Sequence, residues 1–119
     1  MPTLANPRFV DDEIFRALRA GDLATFSRGA SQATKPLDFS NADLRGTDLR
    51  KADLSNVLLR GAYLKDADLR GLDLRHLDLE GCSLHGAKIG GTYFPANLSA
   101  AEICMSVRHG TRLRIKQTD

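Results

Sequence analysis

Tryptophan is absent from this chain, and its 119 residues hold only two cysteines, four prolines and two methionines. Two cysteines, Cys82 and Cys104, cannot build a disulfide framework, which excludes a small stapled scaffold. No apolar run approaches the ~20 residues that cross a bilayer, so no membrane helix is expected. The opening Met1-Pro2-Thr3-Leu4-Ala5-Asn6-Pro7 has neither a basic n-region nor an apolar h-region, and the expectation is a cytoplasmic location without a secretory leader. A dominant charge is missing as well. Seventeen basic residues face 15 acidic ones, and the net charge of +2 points to neither nucleic acid nor acidic partners. Apolar residues at 42% and charged residues at 27% are ordinary for one folded soluble domain.

What the sequence does have is a period. From Leu37 it reads in fives: LDFSN, ADLRG, TDLRK, ADLSN, VLLRG, AYLKD, ADLRG, LDLRH, LDLEG, CSLHG, AKIGG, TYFPA. The central residues are Phe39, Leu44, Leu49, Leu54, Leu59, Leu64, Leu69, Leu74, Leu79, Leu84, Ile89 and Phe94, all large and apolar. The residue two before each centre is apolar or small, and the rest are mostly Asp, Arg, Lys, Ser, Asn and Gly. A period of five fits neither an α-helix nor an extended strand. Inward residues at the centre and two before it, followed by a polar corner with Gly or Asn, describe a short strand and then a turn.

The units ADLRG (42–46), ADLSN (52–56) and ADLRG (67–71) match the A-(D/N)-L-x-x motif, and the chain resembles the pentapeptide-repeat family over residues 37–96. The resemblance implies an all-β core, a right-handed quadrilateral β-helix with one unit per side and four units per coil. Twelve units then make about three coils, roughly 14 Å tall at the spacing of paired strands. Residues twenty apart should stack. Two before the centre, one column is large throughout (Leu37, Val57, Leu77), and two are small (Ala42, Ala62, Cys82 and Thr47, Ala67, Ala87). Only Ala52, Leu72 and Thr92 mix sizes. The columns predict four-sided coils with one wider wall.

A solenoid needs its ends covered. Residues 1–36 are expected to be a helical cap and linker, 37–96 the repeat body, and 97–119 a capping helix with a basic tail. Phe9 to Ser27 reads as two short helices broken at Gly21-Asp22, with Asp22 as an N-cap and Ile14, Leu18 and Phe26 covering the first coil. Residues 28–36 read as linker. Ser99-Ala100-Ala101-Glu102 is a capping box, Ala100, Ile103, Cys104 and Val107 form one apolar face, and Gly110 ends the helix. Thr111 to Lys116 alternates, and the pattern suits an edge strand, a dimer contact or a loose basic tail.

Catalytic and metal motifs have plainer readings. Cys82 and His85 have a metal-like spacing, but the register turns Cys82 inward and His85 outward, so they cannot share an ion. His76, His85 and His109 fall on different parts of the fold. Asp recurs because it occupies the position before each centre, not as acid/base pairs. There is no nucleophile motif, phosphate loop or cofactor signature. The sequence therefore argues against an enzyme and calls for no cofactor and no metal.

The outer walls remain. Family members that protect DNA gyrase from quinolones resemble a long acidic DNA duplex, so a topoisomerase regulator acting by DNA mimicry is the alternative reading. Nine acidic and eight basic residues between Leu37 and Phe94 leave −1, which is too little for a duplex-like field. Arg45, Lys65 and His85, with Arg50 and Arg70 on the next wall, form a candidate basic strip, but it lacks interleaved aromatics and nucleic-acid binding is disfavoured. The motif is broken outward at Leu58, Tyr63 and Tyr93. With Arg60, these residues are the candidate surface for a protein partner. A homodimer through an end cap or the 111–116 segment is a further route.

Overall fold

The structure of the protein is a computed structural model that describes residues 12–116. Helix α1 is Glu13–Ala20, capped by the Asp12 carboxylate, which accepts the Ile14 and Phe15 N–H groups at 2.7 and 3.2 Å. Gly21 ends it in the left-handed region at φ 80°. Asp22 then caps helix α2, Leu23–Gln32, through the Thr25 N–H. The break therefore falls at Gly21-Asp22, whereas the expected helical start at Phe9 lies outside the described residues.

Two expectations are corrected here. The stretch 28–36 is not all linker, because α2 continues to Gln32. Gly29, which made it look like a loop, sits against Ile14: a Cβ there would come within 2.5 Å of Ile14 Cγ1. That glycine permits close helix packing. The residue that covers the first coil is Phe15 rather than Ile14. Its ring meets Phe39 edge-on at 4.9 Å, while Ile14 is only partly buried between the helices.

The repeats make a β-helix-type stack with little regular strand. Strands β1 (Leu37–Asp38) and β2 (Val57–Leu58) pair in parallel, with Leu37 opposite Val57. Single parallel bridges join Asp43 to Tyr63, Asp48 to Asp68, Tyr63 to Ser83, Asp68 to Lys88 and Asp73 to Tyr93. Every one of these pairs is separated by twenty residues. Side chains of Phe39 through Leu84 at the centres are at most 5% exposed, and Ile89 and Phe94 are partly buried at the far end. Each buried leucine contributes about 1.5–3 kcal/mol, opposed by the entropy of ordering the chain.

The corners explain the aspartates. Asp38, Asp43, Asp48, Asp53, Asp68, Asp73 and Asp78 each accept the backbone N–H two residues on. Such a bond closes the turn that follows the centre. The residue two beyond the centre is often left-handed, and Asn41 and Asp66 adopt φ near 60° there. Their side chains lie over the glycine of the next coil: a Cβ on Gly61 would fall 2.1 Å from Asn41 Oδ1, and one on Gly86 2.4 Å from Asp66 Oδ1. One corner differs, since Asn56, His76 and Ala96 are not left-handed.

That corner adjoins a gap. Between residues 52–59 and 72–79 no backbone hydrogen bond runs from one coil to the next, although such bonds join the coils on the other walls. The interior changes size at one end of this gap. Ala52 is stacked on Leu72, so a large side chain follows a small one, and Leu77 beyond it is only partly buried.

Helix α3, Ala100–His109, and the segment after it cover part of the far end. Ser99 caps α3 through the Glu102 N–H, but the Glu102 carboxylate turns to Arg114 at 2.7 Å instead of closing a capping box. The face turned inward is Ile103, Ser106 and Val107, not Ala100 and Cys104, which are exposed. Ser106 is fully buried and its hydroxyl accepts the Leu84 N–H at 2.8 Å, while the Val107 carbonyl accepts from Gly86. Arg112 pairs antiparallel with Ser83, and Leu113 exchanges hydrogen bonds with Cys82 and Gly81. The 111–116 segment is thus tied to the stack by one isolated antiparallel bridge rather than forming a strand, and the Leu113 N–H and carbonyl are used within the chain. The Ile89, Gly91 and Phe94 N–H groups at this end have no backbone partner among the described residues.

Two substitutions test the packing. Leu64→Ala should cost about 2–5 kcal/mol in denaturant unfolding; a loss under about 1 kcal/mol would contradict the buried column. Gly61→Ala, which needs φ 75° and meets Asn41, should destabilise more than the open Gly46→Ala. Equal midpoints would contradict the corner stacking.

Candidate interaction surface

The walls are laced by ion pairs between the Asp before a centre and the Arg after it. Arg45 grips Asp43 through two nitrogens, at 2.8 and 3.0 Å, and Arg50, Arg70 and Arg75 do the same to Asp48, Asp68 and Asp73. Arg50 also reaches Asp68 of the next coil at 3.3 Å. Hydrogen bonds from Arg70 hold the Asp68 carboxyl down to about 2, and those from Arg50 and Arg75 hold Asp48 and Asp73 well below the usual carboxylate range.

This geometry changes the candidate basic strip. Arg45, Arg50 and Arg70 are each bound bidentately to their own aspartate, so the strip is neutralised residue by residue. Lys65 is exposed, and the His85 ring packs under Gly110, where a Cβ would come within 3.2 Å of Nδ1. Cys82 is fully buried, its thiol donates to the Leu59 carbonyl at 3.0 Å, and burial pushes it up to about 12. Cys82 and His85 face different environments, and among the described residues no cluster of His, Cys, Asp and Glu could hold a metal ion.

The candidate partner residues divide. Tyr63 is not an open wall residue: Arg112 lies over its ring at 5.0 Å, donates to its hydroxyl at 2.8 Å, and reaches the Gly81 carbonyl. Tyr63 anchors the C-terminal segment, and the expected Leu58–Tyr63 pair is not a joint patch. Tyr93 is 57% exposed with Arg75 over its ring at 4.9 Å, and it stands on a different wall. Leu58, 47% exposed, lies at the gap between the coils.

That gap opens as two clefts, one of about 390 Å³ beside Leu58 and one of about 260 Å³ beside Leu54 and Leu72. Leu58, Leu59 and Arg60 line one side of the first, and His76, Leu77 and Asp78 the other. Arg60 crosses it to Asp78 at 2.9 Å. His76, Leu77 and Asp78 were not expected to be site residues. The nearest irregularity in the sequence was the mixed column Ala52, Leu72, Thr92.

A family model described as pentapeptide repeats matches residues 38–75 and 62–94, in eight copies. No curated protein and no solved structure matches the chain.

The ion pairs predict an acid-sensitive fold. Folding lowers the aspartate pKa values, so the folded chain binds fewer protons than the unfolded one. The stabilisation is complete above about pH 5 and fades as pH falls toward about 2. Asp68→Asn should flatten that fall in urea unfolding midpoints, and an unchanged profile would contradict a structural role for the pair.

Proposed function

We propose that this chain, which belongs to the pentapeptide-repeat family, is a non-enzymatic protein–protein interaction or scaffold module. In this reading residues 37–96 form a right-handed quadrilateral β-helix of three coils. Residues 1–36 and 97–119 serve as its end caps, and the protein acts in the cytoplasm. The pairing of residues at a twenty-residue interval supports four units per coil. The observation that carries the function is Leu58, a large apolar side chain left 47% exposed at a cleft in a rigid wall. Exposed apolar groups beside arginine anchor interfaces, and Arg60 supplies that neighbour. Among the described residues, no helix is long and apolar enough to cross a membrane.

Gyrase-directed DNA mimicry has weaker support. A mimic needs a sustained negative field, and Asp43, Asp48, Asp68 and Asp73 are each masked by an arginine. Affinity capture from the native host compares the wild-type chain with Leu58→Asp and with the opposite-wall control Lys88→Asp. A protein retained by wild type and the control but lost from Leu58→Asp is expected; identical retention by all three would refute the surface. In a supercoiling assay, stoichiometric protein should leave gyrase activity unchanged, and strong inhibition would favour mimicry.

A further inference from the structure

We infer that the gap between residues 52–59 and 72–79 binds an extended peptide segment of a partner protein, which pairs its main chain with the two separated coil edges. This deepens the interaction-module reading and rests on it.

The regular walls show what is missing. Leu44 and Leu49 donate their N–H groups to Tyr63 and Asp68, and Leu64 and Leu69 donate to Ser83 and Lys88 at 2.9 Å. In return, Tyr63 and Asp68 donate to Ala42 and Thr47. At the equivalent places in the gap, the N–H groups of Leu54, Leu59, Asp73 and Asp78 have no protein partner. The facing carbonyls of Ala52, Val57, Asp73 and Asp78 accept nothing from the chain either. Leu54 and Leu59 turn their side chains into the core, while Asp73 and Asp78 stand at the surface, so the two edges can be reached from outside. A row of unpaired main-chain groups at such an edge is a template for another backbone.

The charge pattern identifies the occupant. Each edge alternates donors and acceptors along an extended backbone, the complement of another extended backbone. Net charge is not demanded, because Arg60 and Asp78 neutralise each other at the rim. Leu58 and Leu77 offer an apolar contact for one side chain of the segment. A volume of about 390 Å³ is within the range of ligand sites.

The test titrates the ¹⁵N-labelled chain with short peptides of the form acetyl-Thr-Val-Thr-Xaa-Thr-Val-Thr-amide, where Xaa is Leu, Ile, Met or Phe. At least one should shift the Leu54, Leu59, Asp73 and Asp78 amides. Peptide at about ten times Kd should slow their exchange about tenfold. Backbone N-methylation of that peptide, or Leu58→Asp in the protein, should abolish both effects. The inference is overturned if no peptide moves these amides, if shifts are confined to Ile89, Gly91 and Phe94, or if protein concentration alone protects them, which would indicate a second copy. Partner loss by Leu58→Asp in the capture experiment without any peptide response would keep the module and remove this mode of binding.

Discussion

Vertical stacking at a twenty-residue interval is the constraint on which everything else depends. A five-residue unit buries one large side chain and one smaller one, and neither is shielded until the unit twenty residues on lies over it. The centres Phe39 to Leu84 are out of water for that reason. Such a stack also has little freedom to vary, because a coil edge must match its neighbour in backbone spacing and in interior volume. Ala52 and Leu72, whose volumes disagree, lie at one end of the opening in the backbone ladder.

The same repetition governs the surface. An Asp before the centre closes the corner by accepting a backbone N–H, and an Arg two residues later closes over the same carboxylate. Individual exposed pairs of this kind contribute little to stability. Their larger effect is to cancel charge locally, so neither an acidic nor a basic field develops along these walls. An exposed apolar side chain, a cleft and unpaired main-chain groups occur together at the gap beside Leu58.

Much of this was legible in the sequence. The twelve centres gave the inward column, and the Gly21-Asp22 break and the Ser99 and Asp22 caps were visible, whereas the size columns suggested a wider wall and not an open one. Side-chain partners across long sequence distance were not. Tyr63 looked like an exposed departure from the motif because Arg112, forty-nine residues away, is what covers it. Glu102 looked like half a capping box until Arg114 drew it away. Gly29 read as linker because composition does not report that a helix packs against it. His76, Leu77 and Asp78 were missed since a cleft arises from a failure of stacking, which no single unit reveals.

Interproton contacts between coils test this account most directly. A ¹⁵N-edited NOESY spectrum should show cross-coil contacts between the backbones of residues 43 and 63, 48 and 68, and 63 and 83. It should lack them between 53 and 73 and between 58 and 78. An unbroken series of contacts along the whole stack would contradict the gap, and absence of the first set would contradict the twenty-residue stack itself.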